Sequence, residues 1–135
     1  MDDCLFCKII KGDIPSTKVY EDDNVFAFLD ISPINAGHTL VVPKRHYANI
    51  YDTPEEVLGN MMGVIKKLSS TIKEVLRTDG VNVYMNNEKG AGQVVFHTHI
   101  HVIPRFNGDG RDLWHGRPEL ADSNEEVAKK IRNAL

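Results

Sequence analysis

Between residues 57 and 76 apolar side chains recur at Val57, Leu58, Met61, Met62, Ile65, Leu68, Ile72, Val75 and Leu76, among others, mostly three or four apart. That spacing draws one stripe along a helix and turns it toward a core. Thr53-Pro54-Glu55-Glu56 predicts the start: Thr53 caps, Pro54 suits the first turn and Glu56 closes a capping box. Asp79-Gly80 predicts the end. On both sides of this helix the pattern shortens to strands and turns. Lys18–Glu21 and Asn24–Asp30 read as two strands joined at Asp22-Asp23, and His38–Val42 as a third, punctuated by Gly37 and Pro43. Val81–Met85 is a fourth, and Gln93–Ile103 a fifth after a loop at 86–92. Leu5–Ile10 reads as one or two helical turns and Asn124–Arg132 as a short closing helix. A helix lying between two hairpin-like groups of strands predicts an α+β fold on an antiparallel sheet.

A chain of 135 residues has room for one domain, placed here at 1–110, with 111–135 as a tail that ends in the short helix. Sixteen basic against 19 acidic residues give a net charge of −3, which argues against a phosphate-neutralising surface for long nucleic acid. No run approaches the roughly 20 apolar residues of a membrane span. The acidic start Met1-Asp2-Asp3-Cys4 lacks the build of a secretory signal, so the cytoplasm is the expected compartment. There, Cys4 and Cys7, three apart, point to metal or redox chemistry and not to a disulfide framework.

The chemistry concentrates in Phe96-His97-Thr98-His99-Ile100-His101-Val102-Ile103. On a strand, His97, His99 and His101 would share one face, leaving Phe96, Thr98, Ile100 and Val102 to pack beneath the long helix. Crowded imidazoles oppose one another's charge, so the cluster should be neutral near pH 7. A solvated polar face and a pure metal site are the competing readings of the segment alone.

His97-Thr98-His99-Ile100-His101-Val102-Ile103 resembles the histidine-triad motif, three histidines separated by usually apolar residues. Asp30-Ile31-Ser32-Pro33 followed by Gly37-His38-Thr39-Leu40-Val41-Val42-Pro43-Lys44, and Ala91-Gly92-Gln93 ahead of the triad, extend the resemblance over about residues 4–105. It is nearest to the bacterial members of the Hint-like branch of the histidine-triad (HIT) family. The resemblance implies a five-stranded antiparallel sheet with one long and one short helix. It also implies a homodimer whose two sheets run on into each other, with Trp114 of the tail against the partner.

The implied activity is hydrolysis or transfer at the α-phosphorus of a nucleotide through a covalent nucleotidyl-histidine. His99 matches the nucleophile, His101 and Gln93 the phosphate donors, and His38 the residue supporting the triad. Asn86 matches a contact at the phosphate end. Asp30 matches the carboxylate that accepts both ribose hydroxyls. Leu5, Phe6, Ile9, Phe28 and Ile31 match the apolar slot for a purine base, with ordinary core an equal claim on Phe28 and Ile31. Val94 departs from the pattern, since many relatives carry Ser or Thr there; the hydroxyl is lost and the backbone N–H remains. A purine nucleoside phosphoramidase releasing AMP or GMP is the expected activity. A dinucleoside polyphosphate hydrolase and a regulatory nucleotide-binding protein are the alternatives. Bacterial triad proteins and the related uridylyltransferases also imply a structural zinc site from Cys4, Cys7, His46 and His97, and no metal in catalysis.

Overall fold

The computed structural model describes residues 3–135; Met1 and Asp2, half of the acidic start that bears on the compartment, lie outside the described residues. Five strands form one antiparallel sheet: β1 (Lys18–Glu21), β2 (Val25–Leu29), β3 (Thr39–Pro43), β4 (Gly80–Tyr84) and β5 (Ile100–Arg105), in the spatial order β1-β2-β3-β5-β4. Three helices join them: α1 (Leu5–Lys11), α2 (Glu55–Leu76) and α3 (Asn124–Ala134). The sheet and its elements follow the sequence pattern closely, the short helices at both ends of the chain included. No helix among the described residues is long and apolar enough to cross a membrane.

Alternation along the strands sorts the core into two layers. Val25, Ala27, Val41, Ile100 and Val102 pack with Met61, Val64, Ile65, Leu68 and Ile72 of α2. Phe26, Phe28, Leu40 and Val42 face the other way and pack with Phe6 and Ile9 of α1. The sheet is therefore covered by α2 on one face and by the much shorter α1 on the other, which leaves part of that second face for a site. Met61 is completely buried at the centre of the α2 layer. Met61→Ala is expected to lower unfolding free energy by ~2–5 kcal/mol, the usual cost of such a truncation. Urea denaturation checks this, and a loss below ~1 kcal/mol would show that the α2 layer is not the main core.

Three local expectations are corrected. No capping box forms: Pro54 occupies the cap position without a side-chain bond, while Thr53 Oγ1 donates to the Asn49 carbonyl and lies 2.8 Å from Thr98 Oγ1. The long helix ends earlier than Asp79-Gly80, at Leu76, with Arg77 left-handed at φ 54°, and Gly80 begins β4. The fifth strand begins at Ile100, not Gln93, because β3 pairs with it only from Thr39 to Val41. Pro43 has no N–H to continue the ladder, and the Thr98 N–H is instead bonded to the Tyr47 carbonyl at 2.7 Å. Released from the strand, Phe96 is half-exposed and does not pack under α2 with Thr98, Ile100 and Val102.

Gly37 introduces β3 at φ 95°. A Cβ there would be strained by that φ and would sit 2.5 Å from Leu76 Cδ1 and 3.1 Å from Pro104 Cγ, where the α2 terminus meets the sheet. His38, the next residue, is buried.

Candidate active site

The strand register places Phe28, Leu40, His101 and Tyr84 in one row across the α1 face of the sheet. His101 comes from β5. His97 and His99 lie on the irregular approach to it and are buried, so the triad is an enclosed cluster and not a half-exposed face. Phe6 of α1 meets the His99 ring edge-on, with centroids 5.1 Å apart, and packs on Phe28 at 5.4 Å.

Backbone groups determine the tautomers of His38, His97 and His99, and His38 in turn determines that of His101. His99 Nδ1–H donates to the His97 carbonyl at 2.7 Å, which leaves the Nε2 lone pair free to act as a nucleophile. The Ile34 N–H donates to His38 Nδ1 at 3.0 Å, so the proton of neutral His38 is on Nε2. That Nε2–H donates to His101 Nδ1 at 2.9 Å. His101 must then carry its own proton on Nε2 as a donor. His97 Nε2–H donates to the Pro43 carbonyl at 2.8 Å and turns its Nδ1 lone pair the other way.

Burial keeps these rings neutral. It lowers His38 and His99 below the ordinary imidazole range, against the opposite pull of Asp30. His101 is pushed down to about 4 by burial and then by its neighbours His99 and His38. His97 falls to about 4, again mainly by burial. At pH 7 the site therefore offers one unprotonated nitrogen, His99 Nε2, beside one N–H donor, His101 Nε2. An anion that approaches meets a nucleophile and a donor with no proton to be shed first.

Asp30 closes the cluster from the end of β2. Its Oδ2 is 3.6 Å from His38 Nε2, and its Oδ1 accepts the Ser32 N–H. Although Asp30, His38 and His101 lie close enough to hold a metal, His38 is a poor ligand there. Its Nδ1 already accepts a backbone proton, so its Nε2 carries hydrogen and has no lone pair to offer.

The remaining expected residues divide. Asn86 reaches only the Gly92 carbonyl, at 3.4 Å. Val94 is 86% exposed. Phe6, Ile9 and Phe28 form a buried apolar layer beside the triad and Leu5 is partly exposed, but Ile31, 95% exposed, joins neither that layer nor the core. Gln93 is tied into the protein. It is 3% exposed, and Nε2 donates to the Ala48 and Val95 carbonyls at 2.7 and 3.1 Å, while Oε1 accepts the Glu88 N–H. One proton ties the triad loop to the segment before α2 and the other braces the loop internally at Val95.

One site residue escaped the sequence reading. Tyr84 stacks face to face on His101, centroids 4.4 Å apart and planes 10° from parallel. Burial, followed by Asp30, raises its phenol pKa, so it stays neutral. Only the β4–β5 register puts it there. No motif marks it.

On the other side of His97 the side chains of Cys4, Cys7, His46 and His97 converge, their ligand atoms all within 4.8 Å of one another. His97 Nδ1 lies 3.4 Å from Cys4 Sγ, 3.5 Å from Cys7 Sγ and 3.2 Å from His46 Nδ1. The Cys7 N–H points at Cys4 Sγ from the first turn of α1. Without a cation, burial and the neighbouring Cys4 hold the Cys7 thiol above its ordinary pKa. Two sulfurs and two inward-facing nitrogens at this spacing are the donor set of a closed tetrahedral site.

Residues 11–108 match the HIT domain. A HIT family protein from Bacillus anthracis has a crystal structure that superposes with a TM-score of 0.89 at 40% identity, covering 99% of this chain and 98% of that one. A zinc-bound histidine triad family protein from Mycobacterium smegmatis superposes with a TM-score of 0.79 at 38% identity, covering 99% of each chain. A Candida albicans relative named adenosine 5′-monophosphoramidase is 39% identical over 130 residues, 93% of this chain and 85% of that protein.

Proposed function

This chain belongs to the HIT domain family, and we propose that it is a purine nucleoside phosphoramidase that forms a covalent nucleotide adduct on His99. The observation that carries the reading is the pair of oriented rings: His99 Nδ1–H held by the His97 carbonyl and His101 Nδ1 held by His38. The Candida relative's named activity supports the choice of a phosphoramidate.

In this mechanism the base lies against Phe6, Ile9, Phe28 and the rim residue Leu5, and Asp30 takes the ribose hydroxyls, one carboxylate accepting both. His101 Nε2–H, Asn86 and the Val94 N–H hold the phosphoryl oxygens. His99 Nε2 attacks phosphorus. The P–N bond breaks with its electron pair going to nitrogen, which takes a proton from solvent and leaves as the amine. The His99 ring, bonded to phosphorus at Nε2 and still protonated at Nδ1, is a cationic leaving group, so the adduct is activated for the second step. Water then attacks phosphorus, the ring recovers its lone pair, and the surplus proton returns to solvent with the nucleoside monophosphate.

Cys4, Cys7, His46 and His97 would hold a zinc ion, as the zinc-bound mycobacterial neighbour supports. All four positions are protein ligands, so the ion's role is structural. It would clamp α1, and with it Phe6, to the loop that presents His99. Thiols kept as zinc ligands fit a reducing compartment, the cytoplasm. A homodimer built on the free edge of β4 would cover half-exposed Val83 and the exposed α2 residues Met62, Val75 and Leu76.

The test is trapping. Protein mixed with labelled adenosine phosphoramidate and quenched in acid-free denaturant should yield a triad peptide heavier by one adenylate, with the label on His99. A peptide of unchanged mass under conditions where AMP is released would exclude the covalent route.

A further inference from the structure

Cys4 and Cys7 are the chain's two cysteines, and metal binding is not the only chemistry their placement allows. A pair three residues apart at the start of a helix is also the arrangement of a dithiol that opens and closes a disulfide. We propose that Cys4 and Cys7 are a site of reversible oxidation: a peroxide converts them to a disulfide, the cation is expelled, and hydrolysis at His99 falls. The inference rests on the zinc and hydrolase readings above and adds to them a signal that the thiolates answer.

The sulfurs are already neighbours. Cys4 caps α1, and the Cys7 N–H in the first turn points at Cys4 Sγ from 3.4 Å. Both sulfurs belong to the cluster whose ligand atoms lie within 4.8 Å of one another. Closing that gap to the about 2 Å of a disulfide involves two side chains on one turn, with no distant element to bring up. Both cysteines are half-buried and flank Leu5, which is partly exposed, so a small oxidant reaches them. His97 beneath them is completely buried.

A thiol that holds a zinc ion is deprotonated, and the thiolate is the form that attacks peroxide. One sulfur attacks a peroxide oxygen, the O–O bond breaks, and the displaced hydroxide takes a proton and leaves as water; a sulfenic acid remains. The other thiolate attacks that sulfur, the S–O bond breaks, and a second hydroxide leaves as water with a second proton. Two thiolates, one peroxide and two protons thus give one disulfide and two waters, with sulfur oxidised and peroxide reduced. Disulfide sulfurs carry no charge to hold a cation, which leaves only the two imidazoles of His46 and His97. The closed loop is too short to constrain the chain much, so the new bond does not replace the clamp. An accessible bond of this kind is also readily reduced, which resets the site.

His97 carries the change to the reaction. Its Nδ1 faces both sulfurs, at 3.4 and 3.5 Å, and its carbonyl takes the His99 Nδ1–H at 2.7 Å. Phe6, between the two cysteines in sequence, lies edge-on to the rings of both His97 and His99, with centroids 6.0 and 5.1 Å away. Turning the sulfurs toward each other therefore disturbs the two groups that hold the nucleophile, the His97 carbonyl and the Phe6 ring.

The experiment treats zinc-loaded protein with hydrogen peroxide in small molar excess. It follows intact mass, zinc released to a colorimetric chelator, and adenosine phosphoramidate hydrolysis. The mass should fall by two hydrogens, with peptide mapping placing the link between Cys4 and Cys7, and zinc should appear in step with it. Hydrolysis should drop about tenfold or more, the scale of a displaced reacting group. Dithiothreitol with added zinc should restore mass, metal and rate. The double variant Cys4→Ser, Cys7→Ser should be no slower after peroxide than before it. Thiols and zinc retained through the treatment, a rate that falls without the disulfide, or a disulfide that leaves zinc or rate unchanged would overturn the oxidation site and leave zinc and hydrolase standing. Protein purified without chelator that carries no zinc would overturn the zinc reading along with it. Protein inactive before and after treatment, with no adduct on His99, would overturn the hydrolase and its coupling to the thiols.

Discussion

His99→Ala is expected to abolish phosphoramidate hydrolysis by several orders of magnitude while nucleoside monophosphate still binds. Removing the group that bonds to phosphorus removes the covalent route itself, and deletion of a nucleophile typically costs ~10⁴–10⁶ in kcat. In the proposed mechanism binding depends on other atoms: the Asp30 carboxylate, the Phe6–Phe28 layer and the His101 N–H. The Nδ1–H bond to the His97 carbonyl disappears too, but that carbonyl sits beside a loop already held by Gln93 and Thr98. Steady-state rates and a dissociation constant for AMP, measured on the same preparation, separate the two effects. Turnover near that of the wild type would discredit the mechanism. The loss of binding and turnover together would place His99 in the architecture of the pocket and not in the bond-making step.

The second large effect concerns the metal. Protein purified without chelator is expected to carry about one zinc per chain, and the double variant Cys4→Ser, Cys7→Ser to carry almost none. A ligand that binds only the folded form stabilises it by ~4 kcal/mol when present at about a thousand times its dissociation constant. For a chain of this size that corresponds to a melting temperature lower by roughly 10–15 °C in the variant. The loss should be local first. Cys4 and Cys7 flank the first turn of α1, and α1 has only seven residues, too few to persist without packing. Hydrogen exchange should accelerate in α1 before α2. Phe6 would then leave the edge of His99, so activity falls with zinc content even though the ion touches no substrate. Metal analysis by mass spectrometry decides the stoichiometry, and a metal-free preparation of full thermal stability would overturn the structural role.

Much of this fold was legible locally. The stripe from Val57 to Leu76 and the alternations at 18–29 and 38–42 depend on neighbours three, four or two positions away, so helix, strands and their buried faces follow from the chain itself. The reading failed where a distant partner intervened. Thr53 bonds to Asn49 and meets Thr98 instead of capping α2. Nothing in the sequence neighbourhood of Gln93 shows that the Ala48 carbonyl, 45 residues away, takes its amide. Residues 93–99 alternate like a strand, yet β3 ends at Pro43 and has no N–H to pair with them.

The sequence by itself determined which reactive groups this protein has: three alternating histidines, the Asp30 and His38 that accompany them, and the thiols of Cys4 and Cys7. Those are properties of residue type and short spacing. Tertiary structure alone decided which nitrogen of each ring is free. That choice belongs to the Ile34 N–H and to the carbonyls of Pro43 and His97, which the fold brings to the rings. It also decided that Tyr84 lies against His101, because two strands find their register through the whole sheet and not through any stretch of chain.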